Sequence, residues 1–97
     1  YNVYPRMVEE AIYLHSAVSE VTVIGIKDEY RGESPKAFVK LKPNESLNET
    51  DLKQFLEDKL SKIEMPSHIE FRDELPKTII GKLSKKELVA EEQAQQA

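Results

Sequence analysis

Apolar residues recur at two rhythms along this chain, and the changes between them mark out its elements. Over residues 5–15, Val8, Ala11, Ile12 and His15 fall at i, i+3, i+4 and i+7, with Met7 and Leu14 widening the stripe. That spacing predicts an amphipathic helix. Pro5 suits its first turn, where a missing N–H leaves no bond unmade. Glu9 and Glu10 fall on the expected solvent side, near the positive end of the helix dipole. Over residues 19–26 the β-branched run Val21, Thr22, Val23, Ile24 and Ile26 predicts a strand covered on both faces. The polar stretch 28–35, with Gly32 inside it, predicts a connecting loop. Ala37, Val39 and Leu41 then alternate with Phe38, Lys40 and Lys42, the period of a strand with one buried and one wet face. The short connection makes these two strands an antiparallel pair.

Asn48 is placed to cap a second helix by accepting from the backbone N–H of Thr50 or Asp51. Leu52, Phe55, Leu56, Leu60 and Ile63 supply its apolar stripe, and Met65-Pro66 stops it. Residues 68–72 predict a short strand with Ile69 and Phe71 on one face. Asp73-Glu74-Leu75-Pro76 turns the chain, and a last helix is expected from near Ser84, carrying Leu88 and Val89 inward. The expected fold is α+β, a small three-stranded sheet packed by helices in the order α-β-β-α-β-α. Residues 1–90 form the expected domain, and residues 91–97, polar and rich in Ala and Gln, are expected to fray.

Composition narrows the chemistry. With 97 residues, 39% hydrophobic and 33% charged, the chain reads as one globular domain. It has no cysteine, which excludes disulfides, thiolate metal sites and cysteine nucleophiles. A net charge of -4 argues against a nucleic-acid grip. No apolar run predicts a transmembrane segment and no secretory leader is visible, so a cytoplasmic location is expected. The three glycines, Gly25, Gly32 and Gly81, are too widely spaced for any phosphate-cradling loop. His15 and His68 have no neighbours at metal-ligand spacing, and no metal site is expected within the chain.

One segment stands apart: Pro76-Lys77-Thr78-Ile79-Ile80-Gly81-Lys82-Leu83-Ser84-Lys85-Lys86-Glu87-Leu88. Gly81 lets the backbone turn, Ile79 and Ile80 are expected to shield the neighbourhood from water, and Lys82 offers an ammonium on a flexible stem to phosphate or carboxylate oxygens. A solvated lysine cluster at a helix start satisfies the same composition. A domain that docks an acidic partner through Lys82, Lys85 and Lys86 is a further alternative.

Pro76-Lys77-Thr78-x-x-Gly81-Lys82, with Leu83, Lys85, Lys86 and Leu88 behind it, resembles the closing motif of the adenylate-forming superfamily. The group contains acyl- and aryl-CoA synthetases, luciferase and the adenylation domains of peptide synthetases. The opening Tyr1-Asn2-Val3-Tyr4-Pro5-Arg6-Met7-Val8-Glu9-Glu10 is similar to the segment after that family's interdomain hinge. Ala17-Val18, Val23-Ile24-Gly25, Asp28-Glu29-x-Arg31-Gly32-Glu33 and Ala37-Phe38-Val39 fit its sheet and loop. Met7 stands where members usually carry glutamate. The likeness runs from Tyr1 to about Leu88 and is most like the C-terminal domain of bacterial fatty-acid–CoA ligases. It implies a mobile lid of a longer enzyme, whose N-terminal domain would hold the acyl pocket and Mg2+. ATP, a carboxylic (fatty) acid and coenzyme A would be its substrates. By the same likeness Lys82 is the catalytic lysine of acyl-adenylate formation, with Thr78 and Gly81 beside it. Tyr1 and Asn2 would line the thiol's path, and Arg31 and Gly32 would lie toward the coenzyme. Another adenylate-forming enzyme, with a carrier-protein or different acceptor, is the alternative within the family.

Overall fold

Strands β1 (Val18–Asp28) and β2 (Gly32–Leu41) pair antiparallel, from Val18 opposite Leu41 to Asp28 opposite Gly32, in the computed structural model, which describes residues 4–30 and 32–96. Strand β3 (His68–Phe71) joins β2 in parallel, with Ala37 opposite Ile69 and Val39 opposite Phe71, giving the sheet order β1-β2-β3. The α+β class and the order α-β-β-α-β-α agree with the expectation. Both long strands run further than their apolar patterns. Residues 32–35, expected in a loop, are strand: Glu33, Ser34 and Pro35 pair with Lys27, Ile26 and Gly25. Their polarity is absorbed locally, because Ser34 Oγ meets Ser67 Oγ at 2.9 Å and the Pro35 carbonyl accepts the Ser67 N–H at 2.9 Å.

Alternation along the strands sorts the core into two layers. On one face Val21, Val23, Ala37, Val39 and Ile69 pack with Val8, Ala11 and Ile12 of α1 (Pro5–Tyr13) and with Leu52 and Leu56 of α2 (Glu49–Leu56). On the other, Ile24, Ile26 and Phe38 meet Leu75 and Leu88, with Leu83 against them. Phe38 is wholly buried, so β2 has no wet face over this stretch. The segment around Leu75 and helix α3 (Lys86–Gln96) cover it. Burial of a side chain like Phe38 stabilises by about 2–3 kcal/mol.

Helix α1 has Pro5 at its start, as predicted, but ends at Tyr13, two residues early. Leu14 and Met7 are exposed rather than part of the stripe. His15 leaves the helix to accept the Ala17 N–H on Nδ1 at 3.1 Å and packs edge-on against Phe55 at 4.7 Å. Helix α2 is capped as expected, Asn48 Oδ1 accepting from the Asp51 N–H at 2.7 Å. It stops at Leu56 instead of reaching Ile63, which is exposed, although Leu60 stays buried. A new turn opens at Ser61, whose N–H donates to Glu64 Oε1 at 2.9 Å while its Oγ accepts from the Glu64 N–H at 3.3 Å. The Ser-x-x-Glu spacing of that reciprocal cap was legible in the sequence.

Glu9 departs from expectation with consequences for the site. It and Tyr13, one helical turn apart, lie along the outer edge of β1. Glu9 Oε2 accepts the Val23 N–H at 2.8 Å and Tyr13 Oη accepts the Val21 N–H at 3.3 Å. Two edge donors are thus satisfied by side chains of a helix. Glu10 does face solvent, paired with Arg6 at 3.7 Å.

Helix α3 begins at Lys86 rather than Ser84, and Leu88 is buried while Val89 is not. It continues to Gln96, through the segment expected to fray. Charge holds it down. Lys36 of β2 is 11% exposed at its side chain and bonds Glu92 of α3, with Glu70 of β3 at 3.3 Å. Arg72 bonds Glu70 and reaches Glu91 at 3.0 Å. Lys36 Nζ and Arg72 Cζ lie 5.0 and 4.9 Å from the centre of the Phe38 ring. Burial alone would disfavour the Lys36 ammonium, but Glu92 and Glu70 outweigh it and raise its pKa. Burial likewise works against the Glu70 carboxylate, and the bond from Arg72 overrides it, holding Glu70 below the ordinary carboxylate range.

Candidate functional site

Residues 76–84 form a small hairpin. The Thr78 N–H donates to the Lys82 carbonyl at 2.7 Å, the Thr78 carbonyl accepts from the Gly81 N–H at 2.9 Å, and the Ser84 N–H reaches the Pro76 carbonyl at 2.9 Å. Lys77 and Leu83 pair across the arms. The loop is Ile79-Ile80-Gly81, with Gly81 at φ +85°. A short loop of this kind closes on a residue in the left-handed region, which glycine occupies without steric cost. Thr78 adds a clasp, its Oγ1 accepting the Lys82 N–H at 3.2 Å. Thr78, Gly81 and Lys82 are therefore brought together, as the sequence motif requires. Ile79 and Ile80 do not shield them. Both residues are exposed at the tip, Ile79 completely, because the turn points away from the core.

The lysines around the hairpin differ sharply. Lys77 Nζ lies 2.9 Å from Glu20 Oε2, and this bond raises the Lys77 pKa. Lys85 Nζ lies 3.2 Å from Glu9 Oε2, the oxygen that also takes the Val23 N–H. Helix periodicity puts Glu9 on the solvent side, and only long-range partners reveal where Glu9 and Glu20 bond. Lys82 is exposed and has no carboxylate within ion-pair distance among the described residues. On this braced turn its ammonium is able to meet an anion from outside.

Gly32, at φ +80° and exposed, opens β2 at the far end of the sheet. The Lys77–Glu20 contact fixes the hairpin near the other end of β1. Glu20 and Asp28 are roughly 26 Å apart along the strand at about 3.3 Å per residue, so Gly32 and Lys82 do not share a site. Tyr1, Asn2 and Arg31 lie outside the described residues. Among the described residues no three His, Asp or Glu side chains converge to hold a metal ion. No helix among them is long and apolar enough to cross a membrane.

A family model described as the AMP-binding enzyme C-terminal domain matches residues 7–82. The chain belongs to this family. As a member of the AMP-binding C-terminal domain family it is 47% identical over 92 residues to a long-chain-fatty-acid–CoA ligase of Bacillus subtilis, a match covering 95% of this chain and 16% of that protein. It is 44% identical over 80 residues to a crotonobetaine/carnitine–CoA ligase of Salmonella arizonae, covering 82% of this chain and again 16% of the relative. Among solved structures, an acyl-CoA synthetase of Brucella canis superposes with a TM-score of 0.89 at 36% identity, covering 100% of this chain and 18% of that one. A fatty acyl-CoA synthetase of Mycobacterium tuberculosis gives 0.86 at 33%, covering 98% and 19%. The chain thus spans about a sixth of the length of the curated relatives it matches.

Proposed function

We propose that this domain works within an ATP-dependent acid–CoA ligase and contributes Lys82 to the first half-reaction. In that step a carboxylate oxygen attacks the α-phosphorus of ATP. The acyl–phosphate bond forms, the α–β anhydride bond breaks, and pyrophosphate leaves with its charge. Two anionic groups must approach each other while negative charge grows on the α-phosphate oxygens. An ammonium set between the carboxylate and those oxygens lowers the barrier by positioning and by electrostatic stabilisation. The observation that carries the assignment is the Lys82 ammonium, unpaired among the described residues, on a hairpin where Lys77 and Lys85 are both held by carboxylates. Thr78 and Gly81 shape the turn that presents it.

In the second half-reaction the thiol of coenzyme A attacks the acyl carbonyl, AMP leaves and the thiol proton passes to solvent or base. The domain rotates for this step and withdraws Lys82. The separation of Gly32 from the hairpin supports the use of two different regions in turn, with Tyr1, Asn2, Arg31 and Gly32 toward the coenzyme. Similarity to long-chain-fatty-acid–CoA ligases supports a fatty acid as the substrate, held with ATP and Mg2+ by an N-terminal domain. The test is Lys82→Ala in the full-length enzyme. Pyrophosphate–ATP exchange is expected to fall by about 10^2–10^3-fold, while thioester formation from supplied acyl-adenylate persists. Equal loss of both half-reactions contradicts the assignment.

A further inference from the structure

The hairpin that carries Lys82 has little to hold it in place. Its tip residues Ile79 and Ile80 touch no core, and Leu83 alone of the loop and arms packs against the apolar layer beneath. Yet an ammonium that bridges two reacting groups has to be placed closely, since an error of about 1 Å can cost 10^2-fold in rate. Two carboxylates on two other elements address this. Glu20, on β1, grips Lys77 on the ascending arm; Glu9, on α1, grips Lys85 just beyond the descending arm.

Neither acid is an ordinary surface partner. The Glu20 side chain is 22% exposed, and its Oε1 is buried without a hydrogen-bond partner among the described residues. A carboxylate so desolvated depends on its ammonium far more than an exposed one does. The Glu9 side chain is 19% exposed and is itself fixed by the Val23 N–H of the edge strand. Two tethers on opposite sides of the turn resist pivoting in a way that one cannot. They also neutralise Lys77 and Lys85, the lysines on either side of the turn, while Lys82 keeps no carboxylate within ion-pair distance among the described residues.

The geometry points to Glu20 and Glu9 as positioning residues that aim Lys82, an inference that rests on Lys82 acting in adenylate formation. Glu20→Lys in the full-length enzyme sets two ammonium groups against each other and is expected to lower the kcat of pyrophosphate–ATP exchange by about 10-fold. The KM for the acid, and thioester formation from supplied acyl-adenylate, should each stay within about twofold, because the brace touches neither ligand. Adding Lys77→Glu restores the pair with its charges exchanged and should bring exchange back to within about threefold of the parent. Glu20→Gln, which keeps the shape, should give the same split at about threefold, and decides the matter if Glu20→Lys fails to fold. Glu9→Gln keeps an oxygen for Val23 but releases Lys85, with a similar small loss of kcat. Exchange unchanged in Glu20→Lys, no recovery in the charge-swapped pair, or both half-reactions falling together would overturn the brace. Lys82→Ala run alongside separates the two ideas. Full exchange in that variant brings down the functional reading itself, whereas lost exchange there beside normal exchange in Glu20→Lys removes only the brace.

Discussion

Two regions of this domain put lysine to opposite uses. Under α3, Lys36 is nearly buried and shared between Glu92 and Glu70, with Arg72 and Glu91 extending the chain of charges. At the hairpin, Lys82 is exposed and unpaired among the described residues, and its neighbours Lys77 and Lys85 are held by Glu20 and Glu9. The contrast follows from solvation. A cation removed from water must bring its counter-charges with it, whereas one that remains in water can wait for an anion supplied by another molecule or domain. Burial marks the structural lysine, and a braced mount without a counter-ion among the described residues marks the one proposed to be functional.

Exchanging the two demands breaks the comparison most sharply. Lys82→Ala should leave the thermal midpoint unchanged while adenylate formation falls by about 10^2–10^3-fold. Lys36→Ala should do the reverse, leaving Glu92 and Glu70 without their ammonium and costing about 3 kcal/mol in denaturant unfolding. A melting curve that shifts more for Lys82→Ala than for Lys36→Ala would refute the distinction. Gly81→Ala comes next: a Cβ at positive φ strains the turn by about 1–2 kcal/mol, so adenylation should weaken while the core melts normally.

Acid should act on the two regions differently. The Glu70 carboxyl is held below its reference of 4.5, so the stability it gives is present above that pH and is lost as pH falls through its lowered value. Lys36 is raised above 10.5, so its contribution persists below that pH and is lost as pH climbs through the raised value. Amide exchange in residues 86–96 should therefore accelerate at both extremes, before the layer of Val23, Val39 and Leu52 opens. Simultaneous opening of both layers would show that α3 is not a separate unit. The smallest effect belongs to Arg6→Ala, whose exposed pairing with Glu10 should be invisible in any melt.

Much of this was legible from the amino-acid order. The Val8–Ala11–Ile12 stripe, the Asn48 cap and the antiparallel pairing all depend on neighbours within a few residues or on one short connection. Gly81 in the Pro76-to-Lys82 motif likewise marked a turn, though not the hairpin around it. What escaped reading depends on partners far away in the chain. Glu92 looks like one charge in a polar tail, and its meaning lies in Lys36, fifty-six positions earlier. Glu9 sits on a helix face that periodicity assigns to water, yet it meets a strand edge and a lysine. Residues 32–35 carry loop chemistry, and strand pairing overrides it. No local pattern announces that β3 joins β2 in parallel or that α3 covers Phe38.

The small side-chain seal along β1 carries a last consequence. An open strand margin is a template on which another polypeptide can assemble, and a domain that rotates as proposed above would show that margin each time it moved. By filling Val21 and Val23 from Tyr13 and Glu9, and by keeping the opposite margin to a four-residue strand, the domain narrows the foothold for aggregation at both margins.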